Sequence, residues 1–135
     1  MAKRILVIDD DALLRQTFKR LLTKKGFEVF AAGSGREVFD CVENLAVDLV
    51  ICDLRMPGMD GFKVMNALKH FWRSKKLMCP PEILVSGYRD EIMEAKVSAM
   101  APSGVLWKPF GAQELLLAVK KALAVSWIFP VSVSA

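Results

Sequence analysis

Histidine is almost missing from this chain: His70 is the only one in 135 residues. With no second histidine and no cysteine near it, it makes neither a metal pair nor a catalytic triad, and its outer helical position reads as structural or solvated. Cysteine is scarce as well. Cys41, Cys52 and Cys79 are odd in number, widely spaced and contain no CxxC pair. That argues against a disulfide framework or a zinc site and points to a reducing, cytoplasmic setting. No apolar run is long enough, or free enough of charge, to cross a bilayer. At the start, the basic residues and apolar stretch of MAKRILVIDDD are cut off by three aspartates before any cleavage-like site, so the segment does not read as a secretory leader. There is no internal repeat and no low-complexity linker.

The net charge of +4 would permit a nucleic-acid partner. Lys19, Arg20, Lys24 and Lys25 fall on one helical pattern, however, and Lys120 and Lys121 on another. They read as solvated helix faces, and no helix-turn-helix, zinc finger or aromatic-basic array is left over. Hydrophobic residues make up 53% of the chain, enough for one compact domain and too much for disorder.

Apolar runs and amphipathic stretches alternate along the chain. RILVID (4–9), FEVFAA (27–32), VDLVICD (47–53), EILVS (82–86) and GVLWK (104–108) read as strands. Between and after them, helices are predicted over 12–25, from Ser34 to about Asn44, from Gly61 to about Trp72, from about Asp90 to Met100, and over 112–124. Asp11 starts the first, Gly26 stops it, Ser34 and Glu37 form a capping-box pattern, and Asp60 caps the third. Five strand-helix pairs in alternation predict an α/β fold, a doubly wound parallel sheet covered on both faces. The expected domain is 1–124, followed by an apolar tail, 125–135, with Trp127, Ile128, Phe129 and Val131 around Pro130. Pro130 is expected to prevent simple extension of the last helix.

Each strand-like run that matters ends in a polar group. Asp9 and Asp10 end the first, Asp53 the third, Ser86 the fourth and Lys108 the fifth. Taken singly, each is ordinary: acids favour a helix start, a serine closes a strand, a lysine is solvated. A parallel sheet, however, gathers the C-terminal ends of its strands at one edge, where ligands bind. Three carboxylates so gathered repel, by about 4 kcal/mol per pair at roughly 4 Å and an effective dielectric of ~20. One lysine cannot balance them. A hard divalent cation such as Mg2+ can. Cation, lysine and hydroxyl together form a phosphoryl-binding set, and a carboxylate can accept the group itself.

At VIDDD, DLRMPGMDG, LVSG and WKPF the chain resembles the receiver domain of two-component response regulators, from residue 4 to about 124. The resemblance implies the flavodoxin-like strand order 2-1-3-4-5 with five helices. It implies that Asp53 takes the phosphoryl group from a histidine kinase or phosphotransfer protein. It also implies that Asp10, Asp53 and the Arg55 carbonyl bind Mg2+ with Asp9 assisting through water, and that Ser86 and Lys108 contact the phosphoryl oxygens. A cis Lys108–Pro109 bond and an output surface made by the fourth helix, fifth strand and fifth helix are expected. Separately from the resemblance, the apolar tail 125–135 is expected to dock on the domain's own surface or to contact a second copy in a homodimer. Val105 stands where the family carries an aromatic switch residue, and Trp107 is expected to share its face. Two rival readings are consistent with the same carboxylates. A magnesium-dependent aspartyl-phosphate phosphatase wants a second aspartate two residues after the nucleophile, where Arg55 stands. A phosphorylation-independent interaction module would not need the intact pocket.

Overall fold

The protein is described by a computed structural model covering residues 2–133, with side chains through residue 124. Its order is β1 (Arg4–Ile8), α1 (Ala12–Lys24), β2 (Glu28–Ala32), α2 (Gly35–Asn44), β3 (Leu49–Asp53), β4 (Arg55–Met56), β5 (Met59–Asp60), α3 (Gly61–Ser74), β6 (Glu82–Ser86), α4 (Glu91–Met100), β7 (Gly104–Trp107) and α5 (Ala112–Val133). The sheet runs β2-β1-β3-β6-β7 and every pairing in it is parallel. Among its five strands this is the expected 2-1-3-4-5 order. β4 and β5 form a two-residue antiparallel ribbon, without a periodic signal in the sequence, that pairs Arg55 with Asp60 and Met56 with Met59.

Helix starts follow local chemistry. The Asp11 carboxylate accepts from the Leu13 and Leu14 amides, Asp60 from Phe62, and Asp90 from Met93. Ser34 accepts from the Glu37 amide at 3.2 Å, while its hydroxyl lies 3.4 Å from the Glu37 carboxylate. After α1 the chain turns through Gly26 at φ +94°, which a side chain would resist. The last helix departs from expectation. Its bounds run to Val133, because no glycine or proline stands between Ala112 and Pro130 to stop it. Where the apolar side chains of 125–135 lie falls outside the described residues.

Strand alternation divides the core. Leu6, Ile8, Val50, Cys52 and Leu84 pack against α2, α3 and α4. Ile5, Val7, Leu49, Ile51, Ile83, Val85 and Leu106 pack against α1 and α5. Both faces of the central strands are therefore buried, as continuous apolar runs require. One charge is buried at the opposite edge from the strand C-termini: Glu82, which opens β6, pairs with Lys69 of α3 at 2.7 Å. Its second oxygen, Oε2, has no partner among the described residues.

Candidate functional site

The C-terminal ends of β1, β3 and β7 carry the chemistry. Asp9 follows β1, Asp53 closes β3 and Lys108 follows β7, with β6 between the last two. The Lys108 side chain spans that gap, and its Nζ donates to Asp53 Oδ2 at 2.7 Å. Asp53 is only 4% exposed, and its other oxygen, Oδ1, accepts from the Arg55 amide at 3.1 Å. Both carboxylate oxygens are thus held, one by a cation and one by the main chain. Burial alone would lower the Lys108 pKa. Its hydrogen bond to Asp53, with the charges of Asp53, Asp9 and Asp11, outweighs burial and leaves it above the ordinary lysine value.

Asp9 is 1% exposed. Its Oδ1 accepts from the Asp11 amide at 2.9 Å, whereas its buried Oδ2 has no partner among the described residues. Burial pushes its carboxyl up to about 6; the Asp11 amide pulls it down, the Asp53 charge pushes it up, Lys108 pulls it down, and Asp10 pushes it up. Asp10 itself is half-buried beside it. An orphaned acceptor among repelling acids is a place for a cation. No group of three or more His, Cys, Asp or Glu side chains that could hold a metal ion is found among the described residues. Magnesium does not need one, since it keeps several waters and takes one or two carboxylates. The donors are oxygens only, so the residues fit Mg2+. Asp9, Asp10, Asp53 and the Arg55 carbonyl could hold it, where it would offset the charge of the carboxylates.

Ser86 ends β6 fully buried, and its hydroxyl is engaged locally. Oγ donates to the Tyr88 carbonyl at 3.0 Å and accepts from the Tyr88 amide at 3.2 Å. It stands at the same edge as Asp53 but is turned into its own loop. The Lys108–Pro109 bond is cis, as expected. His70 is exposed. All three cysteines are free; burial drives the Cys52 thiol far upward, with Asp53 adding to the effect, so it is no nucleophile.

Several contacts around the site have no local signal in the sequence, although Arg55 and Trp107 themselves stood out. Gly61 sits so close to the end of β3 that a Cβ there would overlap the Asp53 carbonyl oxygen and lie 2.6 Å from Leu54 Cα. Its only signal was its place after the cap Asp60. The Arg55 guanidinium stacks on the Tyr88 ring at 4.6 Å, joining the loops after Asp53 and Ser86. Arg55 and Tyr88 also line a groove of about 650 Å³ between the β4–β5 ribbon and α4. Trp107 packs with Val105 on the α2–α4 face, not beneath α5, and the Arg89 guanidinium lies 4.8 Å from its ring.

A family model described as the response regulator receiver domain matches residues 5–120. The chain belongs to the response regulator receiver family. The receiver is 34% identical over 125 residues to the chemotaxis protein CheY of Bacillus subtilis, covering 91% of this chain and 99% of that one. It is 28% identical over 123 residues to sporulation initiation phosphotransferase F of the same organism, covering 91% and 95%. Other curated relatives are longer, and the receiver spans 51% of one of them. Among solved structures it resembles the response regulator TrrA of Thermotoga maritima in complex with Mg2+ and BeF, with a TM-score of 0.74 and 31% identity over 90% of this chain and 99% of that one. Family and fold together make the chain a two-component signalling module rather than a classical enzyme.

Proposed function

We propose that this receiver is a switch that takes a phosphoryl group on Asp53 from the phosphohistidine of a sensor histidine kinase or of a phosphotransfer protein. The observation that carries it is Asp53 itself: a buried carboxylate at a strand end, with a lysine on one oxygen and an amide on the other. An Asp53 oxygen attacks phosphorus, the P–N bond breaks, and its electron pair returns to the imidazole. Lys108, already in contact with Asp53, moves little to meet the transferred oxygens. Ser86 leaves its Tyr88 contacts to meet another. Asp9, Asp10, Asp53 and the Arg55 carbonyl would hold magnesium, which would supply the remaining positive charge; the TrrA complex with Mg2+ and BeF supports this by analogy. Against the phosphatase rival, the residue two beyond Asp53 is Arg55, whose amide serves Asp53 and whose side chain stacks on Tyr88. No acid or base stands there.

Output through the surface of α4, β7 and α5 belongs to the same reading, with a protein partner or a second copy as its target, and with a cytoplasmic location. The shift is carried by the loop after Ser86, because Val105 is stiff about χ1 and cannot swing as a ring does. Trp107, braced by Arg89, which also pairs with Glu94 at 2.8 Å, is a static contact. Residues 1–124 make the receiver and 125–135 an appendage, so removing 126–135 leaves labelling at Asp53 intact. Incubation with a small phosphodonor and Mg2+ should add one base-labile phosphoryl group. Borohydride reduction should mark Asp53. Labelling of Asp53→Asn to the same extent would refute the assignment. Trp107→Ala should label normally and lose partner or dimer binding; normal binding would remove Trp107 from the output surface.

A further inference from the structure

Asp9 is held at every point but one. Its amide donates to the Ala32 carbonyl at 3.1 Å. Its carbonyl accepts from Arg15 Nη1 at 2.8 Å. Its Oδ1 accepts from the Asp11 amide, and only Oδ2 is left over. Two of these contacts come from neighbouring main chain. The third comes from a long side chain on α1 that has to cross the loop after β2 to reach its target.

That crossing is possible because residue 33 is glycine. A Cβ at Gly33 would lie 2.5 Å from Arg15 Nη1 and 2.8 Å from its Cζ. Gly33 has no left-handed backbone that would call for glycine, since the positive-φ glycines are Gly26 and Gly58. Its reason is therefore the space the guanidinium fills. Arg15 and Gly33 form a peg and socket that ties α1, the end of β1 and the β2–α2 loop together at Asp9.

We propose that Arg15 is a positioning residue for cation binding: seated against Gly33, it fixes the Asp9 main chain and so presents the free Asp9 carboxylate oxygen to Mg2+. The inference rests on the receiver reading of the site and adds a residue outside the acidic set. Groups that orient metal ligands without touching the metal are typically worth about 10–100-fold in metal affinity.

The sign of the effect separates positioning from charge. Arg15 is a cation close to the acids, so deleting it should by charge alone tighten Mg2+ binding. Loss of positioning should weaken it. Gly33→Ala keeps the charge and displaces the guanidinium. In a background already lacking Arg15, the three atoms nearest that Cβ are gone, and the same alanine should add little.

The experiment is a Mg2+ titration of the full chain without phosphodonor, followed by Trp fluorescence and by the rise in Tm with Mg2+. The set is parent, Arg15→Ala, Arg15→Lys, Gly33→Ala and the double variant Arg15→Ala/Gly33→Ala. Arg15→Ala and Gly33→Ala should each raise the half-saturating Mg2+ concentration roughly 10-fold. The double variant should match Arg15→Ala alone, and Arg15→Lys should recover part of the loss. With phosphodonor and saturating Mg2+, labelling of Asp53 should return to near the parental rate. Equal or tighter Mg2+ binding by Arg15→Ala overturns the assignment, as does an additive double variant. If Arg15→Ala does not fold, Gly33→Ala and Arg15→Lys carry the test. A parent that shows no Mg2+ response at all defeats the receiver reading of the site itself, and so is distinguishable from failure of Arg15.

Discussion

Replacing Gly61 by alanine adds one methyl group at the point where α3 begins against the end of β3. The Cβ would overlap the Asp53 carbonyl oxygen, lie 2.6 Å from Leu54 Cα and 3.0 Å from the Asp53 carbonyl carbon. All three are main-chain atoms, so no flexible side chain can yield. The Gly61 amide also donates to the Leu54 carbonyl at 3.2 Å, which ties the two segments at the same place. Relief requires α3 to move outward by about 1 Å, breaking contacts of buried Val64, Met65 and Leu68. Overpacking of this kind costs about 1–3 kcal/mol, and a backbone clash belongs at the upper end. At ~4 °C per kcal/mol for a domain of this size, Tm should fall by roughly 10 °C. Labelling of Asp53 well below that Tm should also slow, because the displaced carbonyl belongs to the acceptor residue. Gly35→Ala is the control. Nothing lies within 4 Å of its Cβ, and it opens α2, so alanine should be neutral or stabilise by up to about 1 kcal/mol. Thermal unfolding by circular dichroism, with phosphodonor labelling, reads both. A Gly61→Ala protein within about 0.5 kcal/mol of the parent would show that the strand-helix junction yields easily and that the steric argument is wrong.

Three further outcomes are expected. Lys69→Met strands the Glu82 carboxylate in the core and should cost about 3–5 kcal/mol, whereas the pair Lys69→Met/Glu82→Leu should recover most of it; chemical denaturation of both variants decides, and a harmless Lys69→Met would mean water reaches Glu82. Because the Asp9 carboxyl is raised to about 6 in the fold, its stabilising effect is complete below the unfolded value of 3.8 and is lost as pH climbs through about 6. Without Mg2+, Tm should therefore drop over that window and Asp9→Asn should flatten the drop; an unchanged profile refutes the assignment. The Lys108 shift is also upward, so its contribution is complete below the ordinary lysine value and fades as alkaline pH passes through the raised one; Lys108→Met should remove that part of the alkaline loss in a Tm–pH profile.

The sheet was readable because its strands are buried on both faces, which writes them as unbroken apolar runs. The site was readable because such runs end where the chain meets water, so Asp9, Asp53 and Lys108 stood out as charges closing them. Asp11, Ser34 and Asp60 were readable because capping acts within three residues. What escaped is non-local or too short. The Gly61 clearance and the Arg15–Gly33 fit depend on distances between segments with no sequence relation. The β4–β5 ribbon is two residues a side, below any periodic signal. Lys69 and Glu82 look like surface charges until the sheet edge closes over them. The far end of α5 departs from the local signal, because the helix runs past Pro130 to its end at Val133.

Lys108 and Asp53 stand 55 residues apart in the chain and 2.7 Å apart in the fold. A ribosome adding about 5–20 residues per second completes Asp53 several seconds before Lys108 exists. Parallel strands add a second delay, because β7 can join only after its crossover has closed. During that interval the nascent chain carries an acceptor carboxylate without its ammonium partner. On the function proposed above, competence to receive a phosphoryl group belongs to the finished molecule alone, and the label would certify completed assembly as much as carry a message.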